Sequence, residues 1–329
     1  MVLLNIERLQ MNLNSTSNKE AFFYEEKQNS KRNFGFISAP IIGAVLLLSG
    51  ELIGTGIIGI SSGIFPSPYW KSINVELLSF LFIFLVIIFW VRVVEKSPWQ
   101  GLGFTKNNMG KDFLKGFLLG AGMLTLSVLV MMGFGVVKIE GFNFSVTMLK
   151  SFSILLICWI IQSGTEEVLS RGWLFSSVAG KNSVGLGIIV SSLFFALMHI
   201  GNNNIGVLPI LSLLLFAVLT ALYMLKTNNI WGVCGINSAW NCFQGNVFGF
   251  SVSGQSVGNS FMPVSTHGHN WLSEGNFDVE KSIMNQIVQI LSIGGLILAA
   301  TFWIPALLFS KQILYWFGVD AIADGIGSI

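Results

Sequence analysis

Apolar runs recur along the chain at lengths near the ~20 residues a helix needs to cross a bilayer. They predict about eight spans, at roughly 36–60, 75–94, 113–137, 148–170, 184–200, 206–226, 230–249 and 285–310. The fifth and seventh are short or interrupted by glycine. A membrane tolerates such segments where protein packs around them. Residues 1–35 are polar and of mixed charge, and read as a flexible cytoplasmic tail. The first apolar run starts behind this tail, near Phe36, so it reads as a signal-anchor span rather than a cleaved leader. Residues 36–329 read as a single integral membrane domain without internal repeats.

Composition agrees with that pattern. The chain of 329 residues is 53% hydrophobic and 10% charged, against about 25% charged in a soluble globular domain. Such a chain cannot cover itself with polar surface, so the expected fold is an all-α, polytopic membrane protein with the lipid bilayer as its surroundings. No basic cluster with interleaved aromatics points to nucleic acid. Basic residues set the orientation. Arg8, Lys19, Lys27, Lys31 and Arg32 precede the first span, and Arg92, Lys96, Lys106, Lys111 and Lys115 flank the connection between the second and third. The opposite connections carry only Lys71, then Lys138 and Lys150, then Lys281. Both termini are therefore expected in the cytoplasm and the chain in the cell membrane. The long loop from Phe250 to Ser282, with Trp271, Glu274, Asp278 and Glu280, then lies outside, either as a substrate-facing lid or as a plain surface loop.

Cys158, Cys234 and Cys242 all lie in apolar segments without a CxxC pair and read as buried, inert thiols. No His-Glu-x-x-His motif is present, and His267 with His269 falls in a polar loop, so neither a metal nor another cofactor is expected.

Ionisable residues inside the spans carry the functional signal, because each costs about 2.5–3.5 kcal/mol at mid-bilayer. The fourth span ends in "GTEEVLSRGWLF". Glu167 and Arg171 are four apart and share a helix face, so they can neutralise each other. Glu166 is rotated by about 100° from Glu167 and has Ser170, not a cation, at i+4. That carboxylate suits a general base, or equally a polar station in a pore. His199 closes the fifth span one turn after Phe195, and reads either as an interfacial residue or as a catalytic one. Asn237 and Asn241 share a face of the seventh span, with Gln244 nearby. Their amides can hold helices together or donate to an oxyanion. Glu51, well inside the first span, has three readings: a partner for Arg171, a cavity-facing acid, or an acid snorkelling to an interface.

The three segments, E-E-x-x-x-R, F-x-x-x-H and a closing x-x-x-N, resemble in this order the CPBP family of intramembrane proteases. That family includes the type II CAAX prenyl endopeptidases and the bacterial Abi proteins. The resemblance covers about 148–285. It implies a polar cavity between the fourth, fifth and seventh helices. It also implies metal-independent hydrolysis of a peptide bond by a water activated by Glu166 and His199. Asn237 and Asn241 would face the oxyanion, and Glu167 and Arg171 would support the helix that carries the base. The implied substrate is a membrane-associated peptide or protein, and the bacterial members point to peptide maturation or immunity rather than a prenylated partner. One departure stands out: the family's third motif begins with histidine, and this chain has Asn237. An amide keeps an NH2 donor but cannot titrate. Two readings remain, a working enzyme or a catalytically impaired homologue acting as an immunity or regulatory binding protein. A transporter using Glu51, Glu166 and Glu167 as a proton path is disfavoured by the lack of inverted repeats.

Overall fold

The computed structural model describes residues 22–202, 206–258, 260–266, 279 and 282–296. Phe23–Ile290 form one compact unit, and Phe22 and 291–296 fall outside it. His267, His269, Trp271, Glu274, Asp278 and Glu280 lie outside the described residues, as do residues 1–21 and 297–329.

Among the described residues, eight longer helices follow the predicted order: α1 Ser38–Ile64, α2 Ile73–Phe89, α3 Met109–Gly133, α4 Val146–Glu167, α5 Val184–Met198, α6 Val207–Thr227, α7 Trp231–Cys242 and α8 Ile283–Leu296. Five of these, counted with their continuations Ile73–Glu95 and Val146–Lys181, are long and apolar enough to cross a membrane. The chain is thus an all-α, polytopic membrane protein. The shorter helices have a physical reason. Every residue of α7 from Gly232 to Cys242 is buried, so protein rather than lipid solvates it. Lipid instead meets the outer helices. α1 exposes Ile41, Val45, Leu48 and Leu52 on one face, while Ala39, Gly43, Leu46, Gly50 and Gly54 form its buried stripe.

Two helices that carry candidate residues leave α-geometry just past them. α4 continues as a π-helix over Val168–Phe175, every residue buried, and then as an α-turn to Lys181. α7 continues as a π-helix over Phe243–Val247. Wide turns of this kind concentrate at functional sites, and they carry α4 well past its predicted end near 170.

Small residues decide where α7 sits. Gly116 and Gly120, one turn apart on α3, face the backbones of Gly232 and Ile236, and a Cβ at either glycine would collide with the facing carbonyl. Gly235 answers from α7 with a Cβ direction that ends 2.7 Å from the Phe117 amide. This small-xxx-small packing lets the backbones approach within membrane helix pairs, and it fixes Asn237 next to Ile236. α8 is held by amides instead. Asn285 donates to Ser212 Oγ at 2.9 Å and accepts from Ser127 Oγ at 3.2 Å, and Gln289 donates to the same Ser212 at 3.2 Å.

Part of the segment read as a free tail is docked. Phe23–Glu26 make a helical turn whose Phe23 and Tyr24 rings lie 5.6 and 6.5 Å from that of Phe175. Lys27, 1% exposed, pairs with the fully buried Glu95. Glu95 Oε1 also accepts from Trp90 Nε1 at 2.9 Å and from Trp173 Nε1 at 2.8 Å. Burial pulls the Lys27 ammonium below its usual range and Glu95 pulls it back. The aromatic pair supplies the apolar contact that a mixed-charge reading of residues 1–35 does not register. At the other end of the bundle, Val137–Ile139 pair antiparallel with Val264–Thr266, register Lys138 to Ser265. The first part of the long loop is therefore tied to the α3–α4 connection.

Gly120→Leu is expected to lose about 2 kcal/mol or more by overpacking against Ile236, read as a lowered midpoint of thermal aggregation in detergent, while Gly122→Leu, which meets open space, leaves the midpoint near wild type.

Candidate functional site

The last turn of α4 brings Glu166 and Glu167 into the bundle. Glu167 and Arg171 are both fully buried, with Arg171 Nε 3.3 Å from Glu167 Oε2. The contact is ionic rather than an aligned hydrogen bond. Arg171 NH1 donates to Ser170 Oγ at 2.7 Å, and the guanidinium carbon lies 4.2 Å from the centroid of the Phe195 ring. The spacing argument for this pair therefore holds. A cation–π contact across to α5 adds to it.

Glu166 is less solitary than its helix alone implies. Asn237 Nδ2 donates to Glu166 Oε2 at 3.3 Å and to Glu167 Oε1 at 2.9 Å. One amide thus spans both carboxylates. Asn241 Nδ2 lies within reach of three acceptors: Gln162 Oε1 at 3.2 Å, Ser163 Oγ at 3.1 Å and Asn237 Oδ1 at 3.3 Å. The two asparagines share a face, as their spacing predicts, and that face is turned toward α4. Buried charges need this kind of compensation, since two carboxylates here face one guanidinium.

His199, at the end of α5, has its ring 4.9 Å from that of Phe195. Its Nδ1 is 2.8 Å from the Phe195 carbonyl oxygen. A carbonyl only accepts, so Nδ1 carries the hydrogen and the neutral ring leaves Nε2 as a lone pair. That Nε2 stands 3.9 Å from Glu166 Oε1.

Two cavities meet at these residues. The smaller, about 20 Å³, lies among α4, α5, α6 and α7 and touches Glu166, His199, Asn237 and Asn241. That volume suffices for one water molecule, given that a cavity needs roughly 10–15 Å³ and polar partners. The larger, about 340 Å³, also reaches Glu166 and His199 but opens between α1, α2 and the loop at Val252–Val257. The expected cavity between helices four, five and seven is present, and α6 completes it. Glu51 belongs to the larger cavity: it lines the wall contributed by α1.

Several polar residues that the motifs did not single out take part. Gln162 stands one turn before Glu166, and this i, i+4 spacing was visible in the sequence. Trp159 Nε1 donates to Asn246 Oδ1 at 2.8 Å, locking α4 to the turn after α7. Gln244 reaches away from the site and donates to the Ser251 carbonyl at 2.6 Å. Cys158, Cys234 and Cys242 are buried and unpaired. Among the described residues, no three His, Cys, Asp or Glu side chains converge as metal ligands.

Residues 148–243 match the family model described as type II CAAX prenyl endopeptidase Rce1-like. The matched segment holds Glu166, Glu167, Arg171, His199, Asn237 and Asn241, and it supports assignment to the CAAX-protease family, a family of proteases. No curated protein and no solved structure matches the chain.

Arg171→Ala leaves two buried carboxylates without their cation and is expected to cost about 3–5 kcal/mol. The loss is read as a drop in folded protein after detergent extraction, and Arg171→Lys, which lacks the planar fork over Phe195, restores only part of it.

Proposed function

We propose that the protein is an intramembrane endopeptidase that hydrolyses a peptide bond in a membrane-associated peptide or protein, without a metal. The observation that carries this reading is the water-sized cavity bounded by Glu166 and His199. Both groups present acceptors there, Oε1 of the carboxylate and the bare Nε2 of the imidazole, 3.9 Å apart. A water that donates one hydrogen to each turns its own lone pair outward, toward a carbonyl carbon placed in the larger cavity. As the oxygen attacks, Glu166 takes the proton as general base, and the proton later passes to the leaving amine. His199 holds the second hydrogen and so fixes the direction of attack.

Asn237 and Asn241 are the nearest oxyanion donors. In the resting arrangement the Asn237 amide serves the two carboxylates. Protonation of Glu166 lowers the charge on Oε2 and weakens that acceptor, which releases an N–H as negative charge grows on the substrate oxygen. Glu167 and Arg171 act through Glu166 by fixing the helix that carries it. The same engagement of Asn237 favours the second reading, a catalytically impaired binding protein, in which the amide never leaves the carboxylates.

The distribution of basic residues supports placement in the cell membrane with both termini cytoplasmic. With that orientation, Ile73, Glu76 and the Val252–Val257 loop, which line the larger cavity, would lie toward the outer face.

With the full chain in nanodiscs, Glu166→Gln and His199→Ala are each expected to lower cleavage by about 10²–10⁴-fold, with EDTA or phenanthroline without effect. Retention of the biological phenotype by Glu166→Gln, with no cleavage by wild type, favours the binding protein. Since the native thiols Cys158, Cys234 and Cys242 are buried, topology is read by cysteine labelling. A membrane-impermeant maleimide is expected to label Ser256→Cys in intact cells and Asn107→Cys only after permeabilisation.

A further inference from the structure

The larger cavity is lined by three carboxylates, Glu51, Glu76 and Glu166, and by no lysine or arginine among the described residues. They are spaced along its depth. Glu76 lies in the first turn of α2, beside the mouth. Glu51 lies in the middle of α1 and is exposed, between Gly50 of the buried stripe and the outward-facing Leu52. Glu166 stands at the inner end against the water-sized cavity. Glu76 Oε1 accepts from Gln255 Nε2 of the Val252–Val257 loop at 2.7 Å. Among the described residues no ion pair or side-chain hydrogen bond engages the Glu51 carboxylate. An acid at that depth is retained in membrane proteins where it faces a wet cavity and serves what enters.

The remaining lining matches the same ligand. The wall also holds two aromatic residues, Trp159 and Phe80. His199, 8% exposed, has its Nδ1 on the Phe195 carbonyl and leaves Nε2 without a hydrogen-bond partner in the described structure. A volume of about 340 Å³ accommodates a long side chain together with a stretch of its backbone. Carboxylates and the absence of a competing lysine or arginine in the described lining describe a pocket for an ammonium or guanidinium group.

We propose that the cavity selects substrates with a lysine or arginine side chain near the bond to be cut, and that Glu51 is the residue that reads it, with Glu76 drawing the charge in at the mouth. The position of the charge relative to a scissile bond rests on the peptidase reading. The cation pocket itself does not.

The test uses the full chain in nanodiscs and two sets of membrane-inserting peptides, in which Lys, norleucine or Glu is moved one position at a time. One set is cleavable. The other is N-methylated along its backbone and reports binding alone. The Lys peptide is expected to bind about tenfold or more tighter than norleucine at one position, with Glu weakest, as charge complementarity to a wall of carboxylates dictates. Glu51→Gln is expected to collapse the Lys-to-norleucine ratio toward one. Glu51→Asp retains part of it, and Glu51→Lys inverts the order in favour of the Glu peptide. Equal binding of Lys and norleucine peptides by wild type overturns the proposal, as does a ratio that survives in a folded Glu51→Gln, Glu76→Gln double variant. Cleavage without Lys preference sinks the cation pocket and leaves the peptidase standing. Lys-selective binding without any cleavage does the reverse.

Discussion

Two adjacent carboxylates and one guanidinium buried inside a bundle of lipid-facing helices form the constraint on which the structure depends. Glu167 and Arg171 have no access to water, and taking such charges out of water is costly unless partners replace it. Each neighbouring element answers part of that demand. α5 supplies the Phe195 ring beneath the guanidinium, α4 itself supplies Ser170, and α7 supplies the Asn237 amide. α7 can deliver an amide to that depth only if its backbone comes close and stays shielded. The glycine contacts with α3 provide the approach, and complete burial of Gly232–Cys242 provides the shielding. The cluster and the helix packing thus depend on each other.

Much of this was legible in the sequence because membrane helices obey few rules. Hydropathy located all eight helices, since the alternative to a helix in lipid is an unsatisfied backbone. The i, i+4 rule paired Glu167 with Arg171 and set Asn237 and Asn241 on one face. Those arguments are local to one helix. What they missed depends on contacts between helices or on irregular backbone. The π-helical turns after Glu167 and Cys242 follow from packing around a buried polar cluster, and no propensity encodes them. The seat of Lys27 on Glu95 joins residues 68 apart in the chain. The three readings of Glu51 could not be separated without knowing which face of α1 meets the cavity. The spacing of Asn237 left open whether its amide holds helices together or donates to an oxyanion, and its hydrogens are directed across to Glu166 and Glu167 on α4.

That last contact bears on what an asparagine at this position can do. An imidazole offers one N–H per ring nitrogen, in directions fixed by the ring, and gains a charge when protonated. The carboxamide offers two N–H groups on one nitrogen, and here they fan out to two neighbouring carboxylates at 3.3 and 2.9 Å. It reaches both carboxylates without adding a positive charge beside them. A protonated imidazole in the same place would add a positive charge between the two carboxylates. On the proposed peptidase reading, an asparagine here gives the base a neutral partner and leaves the oxyanion without a charged one. The larger cavity carries the same excess of negative groups: its described lining holds Glu51, Glu76 and Glu166 and no lysine or arginine.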